Sequence, residues 1–461
     1  MKPHQPSIWG RLVRRLGRLA VRLYYPRIEF SGREHIPVDG PILLCANHAN
    51  SLLDPVLVGT TAQRPVRFFA KAPLFKTPVV GPLMDALGMI PAFRGQDDRR
   101  QVKNNQQSLD KGIKALLQGD AVGIFPEGKS HDHLRVEMVR GGAARMALDA
   151  VRQGADQLQL VPIGLNYRWK DRFRSSVWIQ IGPPLAVSPW LAERQAAGED
   201  DPRRLARQLT DQLQTRMQQV TIHLAESDWS DWVQDLELLA PPIEVDPHSR
   251  VPFLRRRKRI AEAINYFASV DRPLVEELAG RIEQFRDRVD RSGLRMETVA
   301  PRGRSVYTVL VTLLMALAGA LAFLPVAAAT LFHLVPFFTV RWIAARFTPP
   351  GRTTVSLHRL LVGLPGYLIW YVLGFAALRW QLPGLAIPVT LAMPLLGIAS
   401  LHYWRWWPQW TGNATSVLRA FSKRNEVRHL CDQRQELDEQ LVRLAAQFRE
   451  AQPEDATSER S

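Results

Sequence analysis

His48 and Asp54 stand six positions apart in the segment NHANSLLDP, residues 47–55, directly after the apolar run ILLCA. An imidazole held by a carboxylate is a general base, because the carboxylate fixes the ring's tautomer and stabilises its protonated form. At that spacing the two do not share a face of one continuous helix. They meet only if the chain turns between them, which Asn50 and Ser51 permit. Asp54-Pro55 also reads as the N-cap and first residue of the next helix. A second segment, GIFPEGKSHDH at 123–133, again runs from an apolar strand into a turn and brings Glu127 and Gly128 to the same sheet edge. A third, GMIPAFRG at 88–95, places Arg94 after a short apolar strand. Lys71, Lys129 and Arg140 are further cations in these segments. Several cations around a His–Asp pair suit a phosphate-bearing nucleophile whose hydroxyl the imidazole activates. His131 and His133 form a His-x-His pair, which by itself specifies no metal site, so no metal and no bound cofactor are expected.

The elements that must position these residues alternate. Residues 42–46, 121–125, 158–167 and 176–182 read as strands ended by turn residues or prolines, and 101–118 and 142–153 read as helices. That alternation predicts an α/β domain, a mixed sheet flanked by helices, over residues 28–190. In such sheets ligands bind beyond the carboxyl ends of the strands, where His48 stands. Residues 191–300 are charged and helical, and the cation run at 255–259 reads as a solvated or lipid-facing patch.

The rest of the chain points to a membrane. The 461 residues hold 60 Lys+Arg against 44 Asp+Glu, a formal charge of +16, and most of the cations are arginine, suited to phosphate. The two cysteines, Cys45 and Cys431, exclude a disulfide scaffold. Between 299 and 425 there is no acidic residue. The uncharged runs within 306–340, 360–378 and 382–401 are long enough to cross a bilayer, which needs about 20 apolar residues. Residues 301–405 are therefore a transmembrane region, and nucleic-acid binding, which explains the charge alone, is set aside. The first run, which contains Pro325 and Pro336, is either one tilted span or a crossing plus a short return segment. Arginines flank it on both sides, and positive loops stay cytoplasmic, which favours the return and a hairpin of the last two runs. That topology places the catalytic domain in the cytoplasm, at a bacterial inner membrane or, in a eukaryote, the endoplasmic reticulum.

Two helices flank this plan. In residues 1–27, Arg11, Arg14, Arg15, Arg18 and Arg22 fall on one side of a helical wheel and Trp9, Val13, Leu16, Ala20 and Leu23 on the other, the pattern of a helix lying on anionic lipid. In the tail, 406–461, Leu430, Leu437, Leu441, Leu444 and Phe448 approach a heptad seam, which raises a homodimer as an expectation.

Four blocks, NHANSLLDP, GMIPAFRG, FPEG and LVPIGLNY, stand in the order and at the intervals of the glycerol-3-phosphate and 1-acylglycerol-3-phosphate acyltransferase superfamily, which residues 28–190 resemble. The five residues between His48 and Asp54, where most of the superfamily has four, are similar to a branch with fungal glycerol-3-phosphate/dihydroxyacetone-phosphate acyltransferases and bacterial relatives. The resemblance implies acyl transfer from a thioester of CoA or acyl carrier protein to a glycerol phosphate hydroxyl. It implies His48 as base, Asp54 as its orienter, Arg94, Glu127 and Gly128 at the acceptor site, and Pro162 in the fourth block. Lys129-Ser130 replaces the Thr-Arg that follows FPEG in many lysophosphatidate enzymes, leaving Arg94, Lys71 or Lys129 to hold the phosphate. Direct transfer is expected, since Cys45 lies in a buried strand and Ser51 has no base of its own. Lysophosphatidate, another lysophospholipid or dihydroxyacetone phosphate are the alternative acceptors. An inactive membrane-tethering protein is the alternative of another class.

Overall fold

A computed structural model describes residues 7–51, 53–76, 80–93, 105–241, 246–299, 306–347 and 355–452. The chain divides into two units, residues 1–228 with 245–262 and 349–357, and residues 229–244 with 263–348 and 358–461.

The first unit is built on eight strands: β1 (Arg27–Ser31), β2 (Ile42–Ala46), β3 (Val66–Lys71), β4 (Ile90–Ala92), β5 (Ala121–Ile124), β6 (Gln159–Tyr167), β7 (Ser176–Ile181) and β8 (Leu185–Ala186). They form one mixed sheet in the order β1-β7-β6-β2-β5-β3-β4, with β8 paired to β6. The pairings β6–β7 and β6–β8 are antiparallel and the others parallel. All five residues of β2 are buried, as a central strand covered on both faces requires. The strands expected from the sequence are present within a residue or two; β1, β3 and β8 are additional.

The helices of this unit are α1 (Ile8–Tyr24), α2 (Leu53–Thr61), α3 (Val80–Ala86), α4 (Asn105–Leu117), α5 (Gly142–Arg152), α6 (Val187–Ala196) and α7 (Pro202–Val220). From β2 the chain steps outward through α2 to β3 and α3 to β4, then back through α4 to β5 and α5 to β6. Right-handed crossovers put helices of opposite stepping direction on opposite faces of the sheet. Accordingly α1 packs with α2 and α3, while α4, α5 and α7 pack together. Leu205, Leu209, Leu213 and Met217 of α7 are buried in the same core as Leu43 of β2 and Val122 of β5. The domain therefore runs well past residue 190, because the face of the sheet covered by α4 and α5 is completed only by α7.

α1 is three-sided. Gly10, Val21 and Tyr24 are buried, Gly17 lies against Val56 of α2, and the Arg14 guanidinium donates to the carbonyls of Val66 and Leu87 at 3.1 and 2.6 Å. Arg14 thus belongs to the docked side and not, as its wheel position predicts, to a lipid-facing row. The exposed remainder carries two parallel rows, Ile8, Leu12, Leu16, Leu19 and Leu23, with Trp9, beside Arg11, Arg15, Arg18 and Arg22.

The remaining helices are α8 (Ser230–Leu239), α9 (Pro252–Val270), α10 (Arg272–Ser292), α11 (Val306–Phe347), α12 (Val355–Gln381), α13 (Ala386–Ser422) and α14 (Arg424–Ala451). The cation run opening α9 is not a lipid-facing patch. Arg255 pairs with Glu29 of β1 at 2.9 Å and lies over the Trp178 ring, Lys258 also lies over Trp178, and Arg257 lies over Phe253. Their long stems cover the β1–β7 edge of the sheet.

In the second unit, three helices are long and apolar enough to cross a membrane: Leu317–Arg346, Arg359–Gln381 and Ala386–Pro408. α11 runs unbroken through Pro325 and Pro336 for 42 residues, about 63 Å at 1.5 Å per residue. The expected return segment is therefore absent, and Val306 and Arg346 lie at opposite ends of one helix. Each proline removes one hydrogen bond, which an apolar surround tolerates without reversing the helix. His333, midway along the apolar stretch, bonds the Ala329 carbonyl through Nδ1 at 2.7 Å and the Tyr371 hydroxyl through Nε2 at 3.1 Å. A Cβ at position 397 would stand 2.8 Å from that Nε2, so Gly397 makes the room. α13 continues past the end of its apolar run, and the tail begins only at α14. There Leu430, Leu437 and Leu441 are buried against Leu278, Ile282, Phe285 and Val289 of α10, and Leu444 packs at the edge. Phe448 meets Tyr266. The leucine seam is thus covered within the chain, and the dimer expected from it loses its basis.

Candidate active site

β2 and β5 are neighbours in parallel register, Cys45 opposite Ile124, so the segments after them leave the same sheet edge. The connections also reverse direction between these two strands, the point where α/β sheets open a crevice. His48 stands two residues beyond β2 and Phe125 one residue beyond β5.

His48 and Asp54 meet. Nδ1 of His48 lies 2.8 Å from Oδ2 of Asp54. The chain turns at Asn50-Ser51, with Ser51 at φ 45°, and the same Oδ2 accepts the Asn50 N–H at 2.7 Å. α2 begins at Leu53, so Asp54 lies inside its first turn. Its carboxylate therefore reaches back to His48 and Asn50 instead of capping the helix. The other oxygen, Oδ1, accepts the Tyr167 hydroxyl at the end of β6. A buried carboxylate with three donors is held in one rotamer.

The imidazole is fixed from its face as well. It stacks on Phe125, centroids 4.2 Å apart at 18°, and Phe125 stacks on Phe68 of β3 at 15°. Gly123 is required beneath this stack, since a Cβ there would stand 2.2 Å from the Phe68 ring. With Nδ1 committed to Asp54, Nε2 makes no hydrogen bond among the described residues. That is the arrangement of a general base: oriented at one nitrogen, available at the other.

The two motif loops are stitched together. The His131 N–H donates to the His48 carbonyl at 3.1 Å. Lys170 Nζ donates to the carbonyls of Ala49 and His131 at 3.0 and 3.1 Å and pairs with Asp132 at 2.7 Å. Asn47 bonds the backbone of Leu165 through both ends of its amide, and Asn50 donates to Tyr25 Oη and the Lys170 carbonyl. Gly128 takes φ +75° with the Arg140 guanidinium against its α-carbon, where a Cβ would stand 3.0 Å from Nε.

The other expected site residues divide. Glu127 is buried, with one carboxylate oxygen on His131 Nε2 and the other, Oε1, without a hydrogen-bond partner among the described residues. Lys71 closes β3 at the active edge and Lys129 is exposed on the loop. Pro162 lies in β6 opposite Cys45. Arg94 lies outside the described residues. Burial raises the Cys45 thiol far above its ordinary range, so it supplies no thiolate nucleophile. A cavity of about 480 Å³ lined by Arg67, Asp85, Lys111 and Lys114 opens at the amino-terminal ends of β3 and β4, away from His48.

Tyr167, Phe125, Tyr25 and Lys170 are neighbours of the pair that the sequence does not single out, and Asn50, read there only as a turn former, also bonds Asp54, Tyr25 and Lys170. Tyr167 and Phe125 sit inside two of the four blocks, the only local signal they give. Burial, with the Asp54 charge next, raises the Tyr167 phenol well above its ordinary value. A raised phenol is uncharged at every pH below its unfolded value of about 10, so its donation to Asp54 persists through the working range. Tyr167→Phe removes that donor alone. A hydrogen bond to a charged group is worth about 1.5–3 kcal/mol. We expect kcat to fall by roughly tenfold or more with KM unchanged, measured by steady-state kinetics; equal KM and kcat losses would place Tyr167 in substrate binding instead.

Residues 27–166 match the family model described as Acyltransferase. The chain is 28% identical over 298 residues to an uncharacterized acyltransferase of Schizosaccharomyces pombe, covering 59% of this chain and 43% of that protein. It is 27% identical over 194 residues to glycerol-3-phosphate O-acyltransferase 2 of Saccharomyces cerevisiae, covering 42% and 25%. It is 28% identical over 122 residues to the 1-acyl-sn-glycerol-3-phosphate acyltransferase of Borreliella burgdorferi, covering 26% and 46%. The chain thus spans less than half the length of each of these relatives. Among solved structures, the 1-acyl-sn-glycerophosphate (LPA) acyltransferase PlsC from Thermotoga maritima is similar at a TM-score of 0.34 and 19% identity, over 46% of this chain and 79% of that one, too slight a likeness to argue from.

Proposed function

Because the chain belongs, through residues 27–166, to the glycerolipid acyltransferase superfamily, we propose that it transfers a fatty acyl group from a thioester of CoA or acyl carrier protein to the hydroxyl of glycerol-3-phosphate or a related glycerol phosphate. The observation that carries this reading is the His48–Asp54 pair, oriented at Nδ1 and open at Nε2. His48 Nε2 takes the acceptor's hydroxyl proton as the oxygen bonds to the thioester carbonyl carbon. The C–S bond then breaks, and the departing thiolate takes the proton back from Nε2. Asp54 stabilises the imidazolium between the two steps. Lys71, Lys129, Arg140 and Arg94 are the cations proposed for the acceptor's phosphate. The relatives' names include both glycerol-3-phosphate and 1-acylglycerol-3-phosphate as acceptors, so lysophosphatidate is the second reading. Nothing in the comparisons supports an inactive tethering protein.

Acceptor profiling tests this. Purified protein in lipid is given labelled acyl-CoA or acyl carrier protein with glycerol-3-phosphate, dihydroxyacetone phosphate or lysophosphatidate. Acylation of glycerol-3-phosphate supports the first reading, and turnover with lysophosphatidate alone selects the second. No transfer from either donor to any acceptor rejects the enzyme.

The two exposed rows of α1 are proposed to seat this domain on anionic lipid. Leucines enter the acyl boundary while the neighbouring arginines meet phosphates, each worth about 1 kcal/mol near the surface. Changing Arg11, Arg15, Arg18 and Arg22 to Glu, with the docked Arg14 untouched, is expected to lower activity on anionic vesicles far more than in neutral micelles. Salt erodes the wild-type advantage, since the attraction is screened over about 10 Å at 0.1 M. An equal loss in both media means that the arginines support the fold.

A further inference from the structure

The loop from Pro126 to Arg140 holds a second group of ligating side chains that acyl transfer does not use. One donor atom from each of His131, His133 and Glu137 lies within 4.8 Å of the others. His131 is buried, and its two ring nitrogens are in unlike states: Nε2 bonds the Glu127 carboxylate, while Nδ1 has no partner. A carboxylate accepting at Nε2 keeps the ring proton there and leaves Nδ1 with its lone pair free, the tautomer a metal-binding histidine needs. His133 and Glu137 bond one another at 2.8 Å, with side chains 54% and 23% exposed, so both have room to turn.

We propose that His131, His133 and Glu137 hold a divalent transition-metal ion of the zinc class, with Glu127 behind His131 as the outer carboxylate. Two imidazoles and a carboxylate are a known zinc donor set that leaves one tetrahedral position for water. Metal–ligand distances of about 2.0–2.2 Å put tetrahedral donors roughly 3.4 Å apart. The widest separation must therefore close by about 1.4 Å while the His133–Glu137 pair, now at 2.8 Å, opens slightly. Both movements fall on the two exposed side chains while His131 stays in place. The ion cross-links a loop already fastened elsewhere, among other points by the Arg140 N–H on the Pro126 carbonyl, the His131 N–H on the His48 carbonyl, and the Val136 N–H on His223 Nδ1. Its consequence is to stiffen the loop that borders His48. This proposal does not rest on the acyl-transfer reading.

The full chain, purified in lipid nanodiscs and stripped with a chelator, is titrated with Co²⁺ and the ion then displaced by Zn²⁺. One equivalent of Co²⁺ is expected to give the visible d–d absorption of a tetrahedral site, with Zn²⁺ displacing it at a Kd of about 10 μM or below. The double variant His133→Ala/Glu137→Ala, which alters only partly exposed side chains, is expected to bind the first equivalent at least about 100-fold more weakly. Glu127→Gln is expected to weaken it about 10–100-fold, and His48→Ala to leave it unchanged. In parallel, Zn²⁺ should slow tryptic cleavage at Lys129 and Arg135 in the wild type and not in the double variant. Binding of equal strength in the double variant, or no saturable first equivalent in the wild type, overturns the site.

Discussion

Replacing His48 with Ala is expected to lower kcat/KM by about 10²–10⁴ with any acceptor that the wild-type protein acylates. Nε2 of His48 is oriented through Asp54 and open at the sheet edge. His131, one hydrogen bond away along the backbone, has its Nε2 on Glu127 and its Nδ1 buried, so it does not substitute. Stability changes less. Asp54 keeps the Asn50 N–H and the Tyr167 hydroxyl after the imidazole is gone, so one lost hydrogen bond costs about 1–3 kcal/mol. Single-turnover assays with the variant in lipid, beside its thermal unfolding, separate the two effects. A folded variant turning over within a few-fold of wild type sinks the general-base mechanism.

Asp54→Asn is expected to cost about as much in rate, roughly 10³–10⁴-fold, by another route. The amide keeps the shape but offers one accepting oxygen in place of two. His48, the Asn50 N–H and Tyr167 then compete for that oxygen, and the amide N–H₂ faces a donor. Wherever the N–H₂ meets Nδ1, the ring proton is driven to Nε2, the nitrogen that must stay unprotonated to act as base. Unlike His48→Ala, this change also strands a buried donor, at about 1–3 kcal/mol. The expected signature is thus a rate loss with a lowered Tm, while His48→Ala shows the rate loss with a smaller change in Tm. Activity near wild type in Asp54→Asn means that the carboxylate serves only to fix the turn.

The two variants also distinguish direct transfer from an acyl-enzyme. Cys45 is buried in β2 with its thiol held protonated. A covalent acyl intermediate trapped from either variant would point to a nucleophile the geometry does not provide. None is expected.

What the sequence determined by itself is local. The strands β2, β5, β6 and β7 announce themselves because a buried strand is a short run of apolar residues bounded by turn formers, a property of neighbours in the chain. The same holds for the three membrane-length helices, where length and absence of charge suffice. His48 and Asp54 were legible because a turn-permitting pair stands between them and a strand leads into them. Tertiary structure decided whatever depends on partners far apart in the chain. Tyr167 reaches Asp54 across 113 residues, and Lys170 bridges Ala49 and His131, only because the sheet order puts β6 and β5 on either side of β2. The wheel of α1 divides into apolar and basic sides, yet docking chose a third stripe of Gly10, Arg14, Gly17, Val21 and Tyr24, since small residues let the helix approach α2 closely and backbone carbonyls satisfy Arg14. The leucines of α14 read equally well as a dimer seam, and what they pack against, α10 of the same chain, is set by long-range burial that periodicity does not encode. Glu127 is the clearest case: its motif places it at the site, but the direction of its carboxylate was settled by His131, four residues on and buried with it.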